Sequence, residues 1–233
     1  MSYKVILFDL DDTLIHFEDY WKVSLLETFR QHHSTKEYDV DLLFDVYWRQ
    51  NGVFEEMYHK QVITLQQFRN YRLIHALAEF NKEINEAIAN DFNNLHKEVS
   101  KTFMKANPNL VELLLDLQQN YLLGIVTNGI ANWQYDKLEA MGIRSFFPTG
   151  SIIISDEIGF EKPSPEIYYK ALEYFQSSPD DVVYIGDSWK NDIEGPGNVG
   201  IRSIWLNKKN EENQGNSKLI GVIKDILEIK EYL

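Results

Sequence analysis

Near the start of the chain an apolar run, Val5-Ile6-Leu7-Phe8, breaks off into Asp9-Leu10-Asp11-Asp12-Thr13. The run has the length and composition of an interior parallel strand, buried on both faces. If the chain stays extended beyond it, Asp9 and Asp11 project to the same side. Two carboxylates held that close repel unless a cation or a shared proton relieves them. An oxygen-only ligand set suits a hard cation, usually Mg2+. The plain alternative is a strand followed by an Asp-rich turn, since Asp favours turns and helix caps. Segments further along bear on the choice.

Between Phe17 and Phe103 the chain has one glycine, Gly52, and no proline. Apolar residues recur there at helical spacing: Trp21, Leu25, Leu26, Phe29; then Leu42, Leu43, Val46, Tyr47; Phe68, Tyr71, Arg72, His75 and Leu77 give a third stretch, and Ile84, Ile88, Phe92, Leu95 a fourth. This predicts a compact four-helix unit. After Pro108 short apolar runs alternate with helical stretches. Helices are expected over 110–117, 135–141, 165–175 (Ser164 as N-cap, Pro165 first) and 219–229, and strands over 122–127, 151–154, 182–185 and 201–206. The stretch 208–217 reads as a solvated loop. Strands alternating with helices argue for a doubly wound parallel sheet, whose ligands bind beyond the carboxyl ends of the strands. Asp9/Asp11, Thr127-Asn128 and Asp187 each follow an apolar run, so three strands would bring them to one edge.

Composition narrows the function. The 233 residues suffice for one large domain or a domain with a smaller insert, and 44% hydrophobic residues can build a core. A net charge of −13 argues against a nucleic-acid polymer as partner, because backbone binding relies on Lys and Arg. It leaves room for a small anionic substrate, since a local metal or lysine overrides the global field. With no cysteine, thiolate catalysis and Cys-type zinc sites are excluded. No basic segment leads into an apolar one at the N-terminus, and no apolar stretch approaches the ~20 residues needed to span a bilayer. The expectation is a cytoplasmic protein without a membrane partner; the sequence leaves the oligomeric state open.

The remaining polar residues each carry two readings. Lys162, in Glu161-Lys162-Pro163-Ser164-Pro165, is either a solvated side chain or a cation set among the strand-edge carboxylates, able to pair with a phosphate oxygen. Thr127 is either an ordinary strand-end hydroxyl or, with the Asn128 N–H, a holder of a phosphoryl oxygen. Asp187 and Asp192 are either helix caps or, respectively, a metal ligand and a structural partner for Lys162. Phe17, Tyr20 and Trp21 either pack in the helical unit or meet a substrate, and Trp189 either lines or flanks the site.

Taken in order, Asp9-Leu10-Asp11-Asp12-Thr13, Thr127-Asn128, Lys162-Pro163 and Gly186-Asp187 with Asp192 resemble the four motifs of the haloacid dehalogenase-like hydrolases. The resemblance implies a Rossmann-like α/β core (1–16 and 105–233) with an inserted, mobile helical cap (17–104). It further implies an aspartyl-phosphate mechanism on a small phosphorylated metabolite. Asp9 would be the nucleophile and Asp11 the general acid and base. Thr127, Asn128 and Lys162 would bind the phosphate. Mg2+ would be held by the Asp9 carboxylate, the Asp11 backbone carbonyl and Asp187, with Asp192 in support. A carboxyl at position 11 suits an alkoxide leaving group, which needs a proton, and so favours phosphate-ester hydrolysis over dehalogenation. The motif surroundings look most similar to the pyrimidine 5′-nucleotidase branch. A sugar-phosphate phosphatase or phosphoglucomutase-like enzyme shares the same motifs, and a non-enzymatic phospho-acceptor module is the reading from another class.

Overall fold

The computed structural model describes residues 3–233. Strand β1 (Val5–Phe8) is followed by helices α1 (Phe17–Gln31), α2 (Val40–His59), α3 (Leu65–Ala78) and α4 (Glu86–Phe103). Next come α5 (Pro108–Leu117), β2 (Leu122–Thr127), α6 (Ala131–Ala140), β3 (Ile152–Ile154), α7 (Ser155–Ile158) and α8 (Pro165–Phe175). Then β4 (Val182–Gly186) leads into a π-helical segment (Trp189–Glu194), α9 (Gly195–Asn198), β5 (Arg202–Leu206) and β6 (Leu219–Ile223). The chain divides into two compact units, Glu18–Phe103 and the segments that flank it on either side.

The flanking segments form the α/β unit. Its six strands are all parallel, in the order β3-β2-β1-β4-β5-β6. Every residue of β1 is buried, as expected of a strand covered on both faces. Phe8 lies level with Ile125 on one side and Ile185 on the other. One residue further, the Asp9 N–H still donates to the Ile185 carbonyl at 2.9 Å. The carboxyl ends of β1, β2 and β4 therefore finish almost abreast, which delivers Asp9, Thr127 and Asp187 to the same edge. Beneath that edge Val5, Leu7, Val126, Ile167, Tyr168 and Tyr184 pack into one apolar core.

The helical unit contains α2, α3, α4 and most of α1. Asp39 caps α2 by accepting from the N–H groups of Asp41 and Leu42, and Thr64 with Gln67 forms a capping box on α3. Phe29, Tyr47 and Phe92 are wholly buried and in mutual ring contact. Trp21 lies against Phe44 and Trp48, at 6.3 and 5.4 Å between ring centroids. Tyr20 is buried and Phe17 exposed.

Two readings of the sequence are corrected here. The stretch 219–229 is not a helix: Leu219–Ile223 is the sixth strand, and a 3-10 segment, Ile226–Tyr232, follows it. Four apolar residues around one glycine fit either element by pattern, and the open edge of β5 decides for a strand. Gly221 has a packing reason, since a Cβ there would sit 2.5 Å from the Tyr232 ring. Ser164 does occupy the N-cap of α8, but its hydroxyl bonds the Glu166 carboxylate and caps no backbone N–H.

Candidate functional site

The site is built around Lys162, just ahead of α8, and 3% of its side chain is exposed. Its Nζ donates to Asp9 Oδ1 at 2.6 Å, Asp192 Oδ1 at 2.7 Å and the Tyr184 hydroxyl at 3.1 Å. Tyr184 in turn donates to the Val126 carbonyl, tying β4 to β2. The Lys162 main chain is clamped by Asn128, whose side-chain oxygen accepts from the Lys162 N–H while its amide donates to the Lys162 carbonyl. Asn128 thus fixes the lysine through its side chain. Asp192 is engaged at both oxygens, the second accepting from the Ser188 N–H at 2.9 Å. Gly186 makes this possible, because a Cβ there would stand 2.4 Å from the Asp192 carboxyl carbon.

Asp9, Asp187 and Asp192 each bring a carboxylate oxygen within 4.8 Å of the others'. Asp187 is half-buried, and its carboxylate has no hydrogen-bond partner among the described residues. Burial pushes the Asp9 carboxyl up to about 7; the Lys162 charge opposes the rise and Asp192 adds to it. Burial likewise lifts Asp187 to about 6, with Asp192 and Asp12 adding repulsion. Burial works against the Lys162 charge, yet Asp192 and Asp9 hold its pKa above that of an ordinary lysine. Three carboxylates against one ammonium leave two negative charges when all are ionised. A divalent cation with oxygen ligands suits both that surplus and that donor set.

Asp11 behaves differently from the expectation drawn on an extended chain. Strand geometry ends at Phe8, and the Leu10 carbonyl accepts from the N–H groups of Leu14 and Ile15 in a tight turn. The Asp11 carboxylate meets Lys137 Nζ at 2.6 and 2.7 Å and Gln134 Nε2 at 3.0 Å. The strongest crowding is therefore among Asp9, Asp187 and Asp192, while Asp11 has a cation of its own. Gln134 also donates to Thr127 Oγ1 at 2.9 Å and to the Asn128 carbonyl, so it links Thr127 to Asp11. Asp12 caps the N–H of Phe17. Trp189 is buried against Trp205, 4.8 Å between ring centroids, and is core packing.

Lys137, Gln134 and Tyr184 were not singled out from the sequence. A signal existed for two of them. Gln134 and Lys137 are three residues apart, on one face of the helix that follows Thr127-Asn128. Tyr184 reads as one more apolar residue of a buried strand.

A parallel sheet with a cation-seeking cluster at its carboxyl edge defines an α/β protein with a ligand site at the strand ends. The sequence pattern of the haloacid dehalogenase-like hydrolases matches residues 6–206, and the chain belongs to that family. It is 34% identical over 144 residues to glyceraldehyde 3-phosphate phosphatase of Methanothermobacter thermautotrophicus, a match covering 59% of this chain and 63% of that protein. It is 29% identical to the pyrimidine 5′-nucleotidase YjjG of Escherichia coli, over 100% of this chain and 99% of that one. The magnesium-bound crystal structure of the hydrolase YfnB from Bacillus subtilis superimposes with a TM-score of 0.75 at 25% identity, over 100% of this chain and 99% of that one. Among the described residues no helix is long and apolar enough to cross a membrane.

Proposed function

We propose that the chain is a Mg2+-dependent phosphate-monoester hydrolase acting on nucleoside 5′-monophosphates through an aspartyl-phosphate on Asp9. The observation that carries this is the setting of Asp9: a buried carboxylate at the end of a central strand, beside one buried ammonium and two further carboxylates. In the first step an Asp9 oxygen forms a bond to phosphorus while the ester P–O bond breaks, and the leaving alkoxide takes a proton from Asp11. In the second, Asp11 accepts a proton from water, the water oxygen attacks phosphorus, and the P–O bond to Asp9 breaks, releasing phosphate. The ion pair with Lys137, at 2.6 Å, holds the Asp11 carboxylate in place for both steps. Lys162 and the Thr127 hydroxyl, with the backbone at Asn128, would hold the phosphoryl oxygens.

Mg2+ would be held by Asp9, Asp187 and the Asp11 backbone carbonyl. Asp192 is a supporting residue, because both its oxygens are already spent on Lys162 and Ser188. Bound there, the ion would supply charge neutralisation and orientation of the phosphoryl group.

The nucleotide preference rests on the full-length similarity to the pyrimidine 5′-nucleotidase. Similarity to the glyceraldehyde 3-phosphate phosphatase favours a sugar- or triose-phosphate as the second reading. Phosphate release from a panel of nucleoside monophosphates and sugar phosphates, with Mg2+ and with EDTA, separates the two. Mg2+-dependent release concentrated on pyrimidine nucleotides is expected, whereas release mainly from sugar phosphates would keep the chemistry and replace the substrate. Asp9→Asn is expected to lower turnover roughly 10³-fold or more. Near-normal turnover by that variant would overturn the nucleophile.

A further inference from the structure

The helical unit holds a second buried charge cluster, of the opposite sign. Arg72, on α3, keeps 8% of its surface exposed. Its guanidinium lies over the Tyr47 ring at 5.1 Å and the Phe68 ring at 4.9 Å, so aromatic faces cover it and its N–H groups are left to bond from the edge. At that edge Nη1 donates to Asn51 Oδ1 at 2.8 Å, while Nε has no partner. The Tyr47 hydroxyl is also buried, beside the Arg72 guanidinium and with no other partner among the described residues.

Arg69 is three residues away on α3, which puts it on the same helix face. Among the described residues neither arginine makes an ion pair with a carboxylate. The acid nearest in this network, Glu55, reaches Asn51 at 3.5 Å and not the guanidinium. The positive field is felt by its neighbours. Burial first, then Arg72, push His96 down to about 3, and burial together with Arg72 lowers Arg69. A buried cation without a counter-charge is costly, and here a second, half-buried one adjoins it in a chain whose net charge is −13.

We propose that Arg72 and Arg69, with the Tyr47 hydroxyl, form an oxyanion-binding site in the helical unit that takes the phosphate or carboxylate group of a small molecule. A planar guanidinium edge presents parallel N–H donors to such a group, and a tyrosine hydroxyl adds a neutral one. The anion can be part of the substrate or a separate metabolite; the recognising chemistry is the same.

Calorimetric titration of the full chain with inorganic phosphate in the presence of Mg2+ tests the proposal. Two phosphates are expected, one lost on Lys162→Met and the other weakened roughly 10- to 100-fold by Arg72→Lys or Arg69→Gln. Arg72→Lys keeps the charge and most of the packing, and Arg69 is less buried, so at least one variant reports even where Arg72→Gln does not fold. Tyr47→Phe, which preserves the ring, should weaken the same site by a smaller factor. One phosphate only, lost on Lys162→Met and indifferent to the arginine changes, would overturn the site and leave Arg72 as bundle packing. The arginine-dependent phosphate does not depend on the hydrolase reading. The source of the anion does: a KM raised by Arg69→Gln for substrates with a second anionic group, and unchanged for simple phosphomonoesters, would identify it as the substrate's own. An unchanged KM for both, with the phosphate site still lost, would make it a separate anion.

Discussion

The two buried polar clusters are unbalanced in opposite senses. At the sheet edge three carboxylates face one ammonium, and in the helical unit two guanidinium groups face none. The means of toleration differ as well. Lys162 is satisfied by direct hydrogen bonds to two carboxylates and a phenol, so the surplus sits on the acids, which respond by holding protons more tightly. Arginine cannot shed its proton in the accessible pH range, so Arg72 is sheltered between aromatic rings. A charge that can be neutralised by protonation makes a site that responds to pH and to metal; one that cannot makes a site whose relief is an anion.

The sharpest way to break this contrast is to remove the ammonium. Lys162→Met leaves Asp9 and Asp192 buried without their cation and should cost about 3–5 kcal/mol of stability at neutral pH. A loss of unfolding free energy under about 1 kcal/mol in denaturant titration would mean that the cluster is already protonated or reached by water.

The response to pH and metal comes next in size. Asp9 and Asp187 rise from 3.8 in the unfolded chain to about 7 and about 6 in the folded one. The folded state therefore binds protons more tightly than the unfolded chain. The stabilising contribution is full below about pH 3.8 and is lost as pH rises to about 7. In EDTA the unfolding midpoint should fall across that window. Mg2+ at a hundred times its Kd should restore about 2.7 kcal/mol at pH 8 and almost nothing at pH 4. A midpoint that ignores Mg2+ at pH 8 would remove the cation from the site.

The smallest expected effect concerns Lys137. Its partner Asp11 is more than a third exposed, so Lys137→Met should change stability by no more than about 1 kcal/mol. Turnover should nonetheless fall roughly tenfold or more, because Asp11 loses its fixed position. Unchanged kcat on substrates with poor leaving groups would show that Lys137 is dispensable to Asp11.

Much of the α/β unit was legible because its strands are short, apolar and punctuated: Asp9 follows Val5–Phe8, Thr127 ends Leu122–Thr127 and Asp187 follows Val182–Gly186. That punctuation also exposed Asp9, Thr127 and Asp187. β6 escaped because four apolar residues around one glycine carry no period of their own. The π-helical segment escaped because six residues, Trp189–Glu194, are too few to show a helical period. Lys137 and Arg72 were hidden for one common reason. Each sits in a regular helix, where spacing tells which residues share a face but not which charge waits opposite; Arg72 read as one more member of a helical stripe.

The bonds that neutralise Asp9 also set an order of assembly. Asp9 is separated from Lys162 by 153 residues, and Lys162 from Asp192 by 30. A ribosome will have released β1 and the whole helical unit before the lysine exists. Until then the oldest part of the sheet cannot bury Asp9 in its charged form at low cost. The central strand is thus made before its partners and is among the last to be sealed, and α8 and β4 act as the latch.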